Sequence, residues 1–355
     1  MVEPEWDAMA SLPLRDWAPQ AQLRLAETRI PRSAVPAIDV HNHLGKWLNE
    51  GDWMIADVPA LVGIMDATNV ASIVNLDGMW GQEVSDNVER YDLAFPGRFF
   101  TFCQLDWGLL GEADGVIRLI ASIDDSRARG ARGLKVWKNL GLTIRDASGA
   151  LVLPDDPRVV DVITHAGAIG LPVLIHTADP KAFFEPLDVR NERLDELMQN
   201  RDWWFGDPDI HPTFDRLLRA LHTLVLACPG TTFIGAHVGC AAEDLELVES
   251  LLERAPNFTI DIGGRMAELG RQPRRFRELI ARFPDRVLFG TDIFPASAEQ
   301  YELHFRFLET ADESFEYAPD EDIPPQGRWT VSGLALDAGA LTAIYADNAR
   351  RVLGL

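Results

Sequence analysis

Eight short runs rich in Val, Ile, Leu, Phe and Thr recur along the chain: Ala37–His43, Ala71–Leu76, Phe99–Leu105, Gly133–Trp137, Pro172–Thr177, Thr231–His237, Phe258–Ile262 and Val287–Asp292. Between most of them lie amphipathic stretches, around Val58–Thr68, Val84–Phe95, Val116–Arg129, Val159–Ile169, Phe214–Ala227, Ala242–Arg254 and Arg274–Phe283. Strands this apolar are buried on both faces, the condition of a parallel sheet covered by helices. Eightfold alternation favours closing that sheet into a distorted (β/α)8 TIM barrel over leaving it as a doubly wound open sheet.

Gly167 and Gly170 with Pro172 stop one helix and restart a strand, and Pro284-Asp285 does the same before Val287. Residues 1–35 form an N-terminal extension, and residues 36–355 read as one barrel domain. The tail Ala335–Leu353 is a closing helix, with Asp337 as its start cap. Two connections exceed ordinary barrel loops: Ala178–Pro212 after the fifth strand, and Phe294 to about Pro325 after the eighth, the latter with a helical piece at Tyr301–Glu309. Both leave carboxyl ends of strands, where barrels keep their chemistry, so they are expected to wall a substrate.

The 355 residues carry a formal net charge of -22, which opposes encounter with nucleic acid or an anionic membrane. No apolar run approaches the roughly 18 residues a membrane helix needs, and Met1 leads into Glu3, Glu5 and Asp7 rather than a leader pattern. Cys103, Cys228 and Cys240 lack thiolate-clamp spacing and point to a reducing, cytoplasmic setting. Glu309–Asp322 holds seven carboxylates and no basic residue, as a solvated loop or a lid edge.

Four strand-like runs end in metal-competent side chains: Asp39-Val40-His41-Asn42-His43, Leu174-Ile175-His176, Gly235-Ala236-His237 and Leu288-Phe289-Gly290-Thr291-Asp292. Residues two apart share a strand face, so Asp39, His41 and His43 should project together, with Asp39 deeper and orienting a ligand. Imidazole and carboxylate suit a borderline divalent ion, and burying such groups is costly unless they are paired or ligated. Spacing leaves their division open. One assignment gives the metal His41, His43, His176 and Asp292 and leaves His237 to exchange a proton; the other makes the ion five-coordinate, and Asp292 could instead serve as a general base.

These motifs, with Ala236-His237-Val238-Gly239 and the closing Tyr345-Ala346-Asp347-Asn348-Ala349-Arg350-Arg351-Val352-Leu353, resemble the amidohydrolase superfamily. The nearest branch is amidohydrolase family 2, related to aminocarboxymuconate-semialdehyde and resorcylate decarboxylases. The resemblance covers nearly all of residues 36–355. It implies a distorted barrel with one divalent ion, zinc or in some members manganese, held by His41, His43, His176 and Asp292 with His237 as acid or base. Some relatives hydrolyse lactones without metal.

Strand alternation puts Lys135 and Trp137 on one face, and an inward Lys135 needs a charge partner or a solvent-filled pocket. It could anchor a substrate carboxylate, while carboxylation to bridge two metals is what the wider superfamily implies for a fourth-strand lysine. Arg265 follows Gly263-Gly264 at the seventh strand end, with Glu268 or Asp261 as structural partners or a substrate acid group as ligand. Trp47, Trp80, Trp107 and Trp137 fall at or beyond the first four strand ends, and Phe183, Phe184, Trp203, Trp204 and Phe205 in the fifth connection, which together suggest an apolar-walled pocket with Trp47 and Trp137 against the substrate. No Gly-x-x-x-x-Gly-Lys loop or strand-following Gly-x-Gly-x-x-Gly fingerprint occurs. The expected chemistry is metal-dependent hydrolysis of a lactone, ester or amide of a small organic acid, with non-oxidative decarboxylation of an aromatic or unsaturated carboxylate as the alternative. The partner is a small molecule, and a homodimer is possible.

Overall fold

A computed structural model describes residues 6–355 apart from 14, 15, 18, 20, 21 and 322. Eight strands form one sheet in sequence order: β1 Ala37–Asn42, β2 Val70–Asn75, β3 Phe99–Cys103, β4 Gly133–Val136, β5 Val173–Ile175, β6 Phe233–Gly235, β7 Phe258–Asp261 and β8 Val287–Leu288. All adjacent pairs from β1 to β8 are parallel. Backbone bonds from Val40 N to Phe289 O (3.0 Å) and from Asp292 N to His41 O (2.8 Å) hold the seam between β8 and β1, so the sheet closes into the expected barrel.

Two apolar layers hold it. Ile38, Val40, Val74, Phe102, Leu174, Ile234 and Leu288 fill the interior, joined by Ala349 and Val352 of the closing helix Asn348–Leu353. A second, larger cluster lies between strands and helices. Helix Val58–Thr68 buries Val58, Leu61, Met65 and Thr68 and is capped by Asp57, which accepts from Ala60 N. Each such Leu, Val or Met contributes roughly 1.5–3 kcal/mol by burial. Asp337 caps Ala340 N at 2.9 Å, as expected.

Two expected helices are interrupted by wide π-type turns, at Val88–Leu93 and Ala343–Asp347. In the first, Asn87 just before the turn and Tyr91 within it both reach strand ends: Asn87 Nδ2 donates to Asp77 O, and Tyr91 OH to Leu44 O at 2.6 Å. Each strand also ends before its predicted run does, because the chain leaves the ladder where side chains turn into the barrel mouth.

The N-terminal segment meets the barrel's outside. Thr28 N and Oγ1 donate to Asp312, and Arg29 pairs with Glu302 of helix Ala298–Glu309. Residues 1–5, 14, 15, 18, 20 and 21 of the extension, and Asp322 of the acidic run, lie outside the described residues. Among the described residues no helix is long and apolar enough to cross a membrane. All three cysteines are free and buried.

Candidate metal centre

The register of β1 against β2 shifts between Asp39 and Asn42, and this irregularity breaks the two-residue alternation. Asp39 therefore does not share the imidazoles' face, a correction to the expected common projection, but it does hold a ligand candidate by its backbone, accepting from His41 N at 3.2 Å. It accepts from Thr291 N (3.0 Å), Thr291 Oγ1 (2.6 Å) and Tyr301 OH (3.0 Å), fastening β1 to the chain beyond β8. Burial raises its carboxyl to about 6, and the Thr291 hydroxyl is the largest of the donors that hold it from rising further.

His41 and His43 do reach the mouth. His41 Nδ1 donates to Asp261 Oδ2 at 2.9 Å and His43 Nδ1 to Asp77 Oδ1 at 2.6 Å, so each ring presents Nε2 to the site. Both Nε2 atoms lie 3.5 Å from Asp292 Oδ1. His237 Nδ1 donates to Gly263 O at 2.7 Å, and its Nε2 lies 3.7 Å from Asp292 Oδ2. His176 packs edge-on against His237 with centroids 4.4 Å apart. Its Nε2 is 3.3 Å from Asp179 Oδ1 but out of hydrogen-bond alignment, and neither ring nitrogen has a hydrogen-bond partner.

Donor atoms of His41, His237 and Asp292 lie within 4.8 Å of one another, a His/His/Asp group of two buried imidazoles and a half-buried carboxylate able to hold a metal ion. Asp292 Oδ1 is buried without a hydrogen bond despite the imidazoles around it. Burial lowers the His41, His176 and His237 pKa values, His176 to about 3 and the other two well below the usual value, so all three are neutral bases at physiological pH. Neutral imidazoles, those of His41 and His237 fixed by a hydrogen bond through Nδ1, and an unpartnered carboxylate oxygen are a donor set suited to a divalent ion.

The backbone is bent to make this set. His237, Val238, Cys240 and Asp292 have φ between 55° and 62°, a left-handed conformation costing about 1–2 kcal/mol per residue. Such strain concentrates where a site demands it. Gly263 and Gly290 permit the close approach: a Cβ on Gly263 would sit 3.1 Å from His41 Nδ1, and one on Gly290 3.0 Å from His41 Cβ.

Above the group opens a cavity of about 670 Å³ lined by Trp47, Trp137, Phe183, Trp203, Phe205 and Phe294 and by Lys138, Asp179, Glu196, Asp202, Arg265 and Gln326. The connection after β5 and the one after β8 both supply walls, as expected. Trp47 and Trp137 meet edge to face with centroids 4.7 Å apart. Trp80 and Trp107 are corrections to the aromatic-wall reading: Trp80 lies at the surface, and Trp107 is buried in the outer core.

Lys135 points inward but is sealed beneath the imidazoles rather than lining the cavity. Its Nζ lies 3.4 Å from His41 Nε2, and burial lowers its pKa to about 8 against the pull of Asp292 and Asp261. Lys138, the next lysine, lines the cavity instead and pairs with Asp179. Burial alone would raise the Asp179 carboxyl; the Lys138 ammonium is the largest influence that overrules it and holds it below the usual range. Arg265 lines the cavity too, and neither Asp261 nor Glu268 holds it. Asp261 accepts from His41 and from the backbone of His237 and Gly263, and Glu268 pairs with Arg193.

Asp77, Asp261 and Asp179 escaped the sequence reading as site residues. All three stand at or just past strand ends, so the strand-end rule that singled out the histidines would have found them if it had been applied to every carboxylate.

The family model described as Amidohydrolase matches residues 38–355. No curated protein matches the chain. Among solved structures, 2,6-dihydroxybenzoate decarboxylase from Rhizobium is similar at 15% identity and a TM-score of 0.54, covering 90% of this chain and 99% of that one. An amidohydrolase from Burkholderia multivorans with bound Zn is similar at 13% identity and a TM-score of 0.55, covering 91% of this chain and 100% of that one. At these identities the likeness is one of fold.

Proposed function

This chain belongs to the amidohydrolase family and is a metal-dependent enzyme of hydrolase or decarboxylase type, and from that premise we propose that it hydrolyses a lactone, ester or amide of a small organic acid. The observation that carries the reading is Asp292 Oδ1, buried, without a hydrogen bond, and 3.5 Å from the Nε2 atoms of both His41 and His43.

We assign His41, His43, His176 and Asp292 to the ion. His176 is favoured because its two buried ring nitrogens lack hydrogen-bond partners. His237, fixed by its Nδ1–H to Gly263 O, keeps a neutral Nε2 toward the cavity and takes the proton-transfer role, shared with Asp292. Zinc suits three imidazoles and a carboxylate best, with manganese next. A divalent ion there supplies a Lewis acid that polarises a carbonyl and acidifies a water. His237 Nε2 accepts a proton and returns it to the leaving group, Arg265 holds the acid group of the substrate, and the Trp47 and Trp137 walls exclude bulk water. Lys135 acts from below on His41 rather than on substrate. A cytoplasmic setting is supported by three buried free thiols, and a homodimer by Trp6, Met9 and Trp17, exposed on the N-terminal segment.

Decarboxylation of an aromatic or unsaturated carboxylate is the second reading, favoured by the aromatic walls and by the fold shared with 2,6-dihydroxybenzoate decarboxylase. The test screens lactones and aromatic acids with zinc-loaded protein in oxygen-18 water. Label in a new carboxylate supports hydrolysis, release of carbon dioxide supports decarboxylation, and turnover that persists after the metal is removed contradicts both.

A further inference from the structure

Arg265 is a nearly buried guanidinium with no ion-pair partner among the described residues; the one hydrogen bond its side chain makes there runs from Nη1 to Gly264 O at 2.9 Å. Carboxylates are close at hand. Glu268 stands three residues along on the short helix Met266–Leu269, Glu196 lines the same cavity, and Glu243 accepts from Lys181 N at 3.0 Å. Arg265 lies within electrostatic reach of Glu196 and Glu243, whose carboxyls burial raises and the guanidinium draws back, for Glu196 after Arg193.

A second arginine occupies two of these carboxylates. Arg193, in the connection after β5, is buried, donates from Nη1 to Glu196 Oε2 at 2.6 Å and pairs through Nη2 with Glu268. Its guanidinium lies 5.8 Å from the ring centroid of Trp329, in the connection after β8. One planar fork thus occupies Glu196, which lies within electrostatic reach of Arg265, together with Glu268, three residues along the chain from Arg265, and stripping a buried carboxylate of its partner creates a strong demand for another.

We propose that Arg193 is a positioning residue: by holding Glu196 and Glu268 it leaves Arg265 free to receive the carboxylate of an organic-acid substrate. This rests on the reading of the cavity as the substrate site. Without Arg193, Glu268 and Glu196 turn to Arg265 and compete with the substrate for its bidentate donors.

The test titrates full-length, zinc-loaded protein with benzoate, and with uncharged benzamide as control, following the fluorescence of the cavity tryptophans. Arg193→Gln is expected to weaken benzoate binding about 10-fold and to leave benzamide binding unchanged. Adding Glu196→Gln and Glu268→Gln to Arg193→Gln removes both released competitors and should recover most of the loss, which a merely structural role for Arg193 would not allow. Arg193→Lys, which keeps the charge but loses the fork, should show a smaller loss and decides the matter if Arg193→Gln does not fold. Benzoate affinity unchanged in a folded Arg193 variant, or unrecovered in the triple variant, overturns the proposal. If Arg265→Gln itself leaves benzoate binding intact, the reading of Arg265 as the acid-binding group falls instead.

Discussion

His41 donates its Nδ1–H to the Asp261 carboxylate across 2.9 Å, and that single bond decides which ring nitrogen looks into the barrel mouth. Asp261 is itself fixed, because its other oxygen accepts from His237 N at 3.1 Å and Gly263 N at 2.9 Å. One carboxylate from β7 thereby sets the tautomer of a β1 imidazole and the turn that carries His237.

Asp261→Asn tests this directly. The amide oxygen would keep the two backbone donors, leaving its NH2 toward His41 Nδ1 and driving the ring proton to Nε2. Metal affinity is expected to fall about 10–100-fold with the barrel intact, read by competition against a chromophoric chelator. Unchanged affinity would show that Asp261 does not govern the ring.

His237→Gln separates ligand from proton carrier. The variant is expected to retain its ion while turnover falls roughly 10²–10⁴-fold, the contribution of a positioned acid or base. Loss of the ion in elemental analysis would place His237 among the ligands, as the compact His41, His237 and Asp292 group also permits.

The sequence announced the barrel because short continuous apolar runs and amphipathic helices are local signals, and all eight strands fall within or beside their predicted runs. It also brought the four imidazoles and Asp292 to one mouth, since strand ends in a parallel barrel all face the same way. What it missed was three-dimensional. The irregularity that turns Asp39 toward Thr291 and Tyr301 leaves no mark in the residue pattern. Nor does the choice between Lys135 and Lys138 for the cavity, which depends on where β4 stops. The pairing of Glu268 with Arg193 joins residues 75 positions apart and has no local signature.

Trp203 lines the cavity while remaining partly exposed, so its loss should be felt in binding before stability. Trp203→Ala is expected to weaken binding of an aromatic acid roughly 3- to 10-fold, the scale of one ring–ring contact, with little change in melting temperature. A large drop in melting temperature with unaltered binding would assign the ring to packing alone.

Asp39 carries a pH signature. Its folded pKa of about 6 lies above the roughly 3.9 of an unfolded aspartate, because burial disfavours its charge. Its contribution to stability is therefore complete below about pH 4 and is lost as pH rises through about 6. In chelator-treated protein, Asp39→Asn should be most destabilising near pH 4, and the gap to wild type should narrow toward pH 7. A gap that widens over that range would contradict the raised pKa. Denaturant melts at each pH measure it.

The most direct test of the whole account is diffraction from zinc-soaked crystals at the zinc edge. One anomalous peak within ligand distance of His41 Nε2 and the Asp292 carboxylate is the predicted result. No peak at that position, or a zinc bound only elsewhere on the chain, would contradict it.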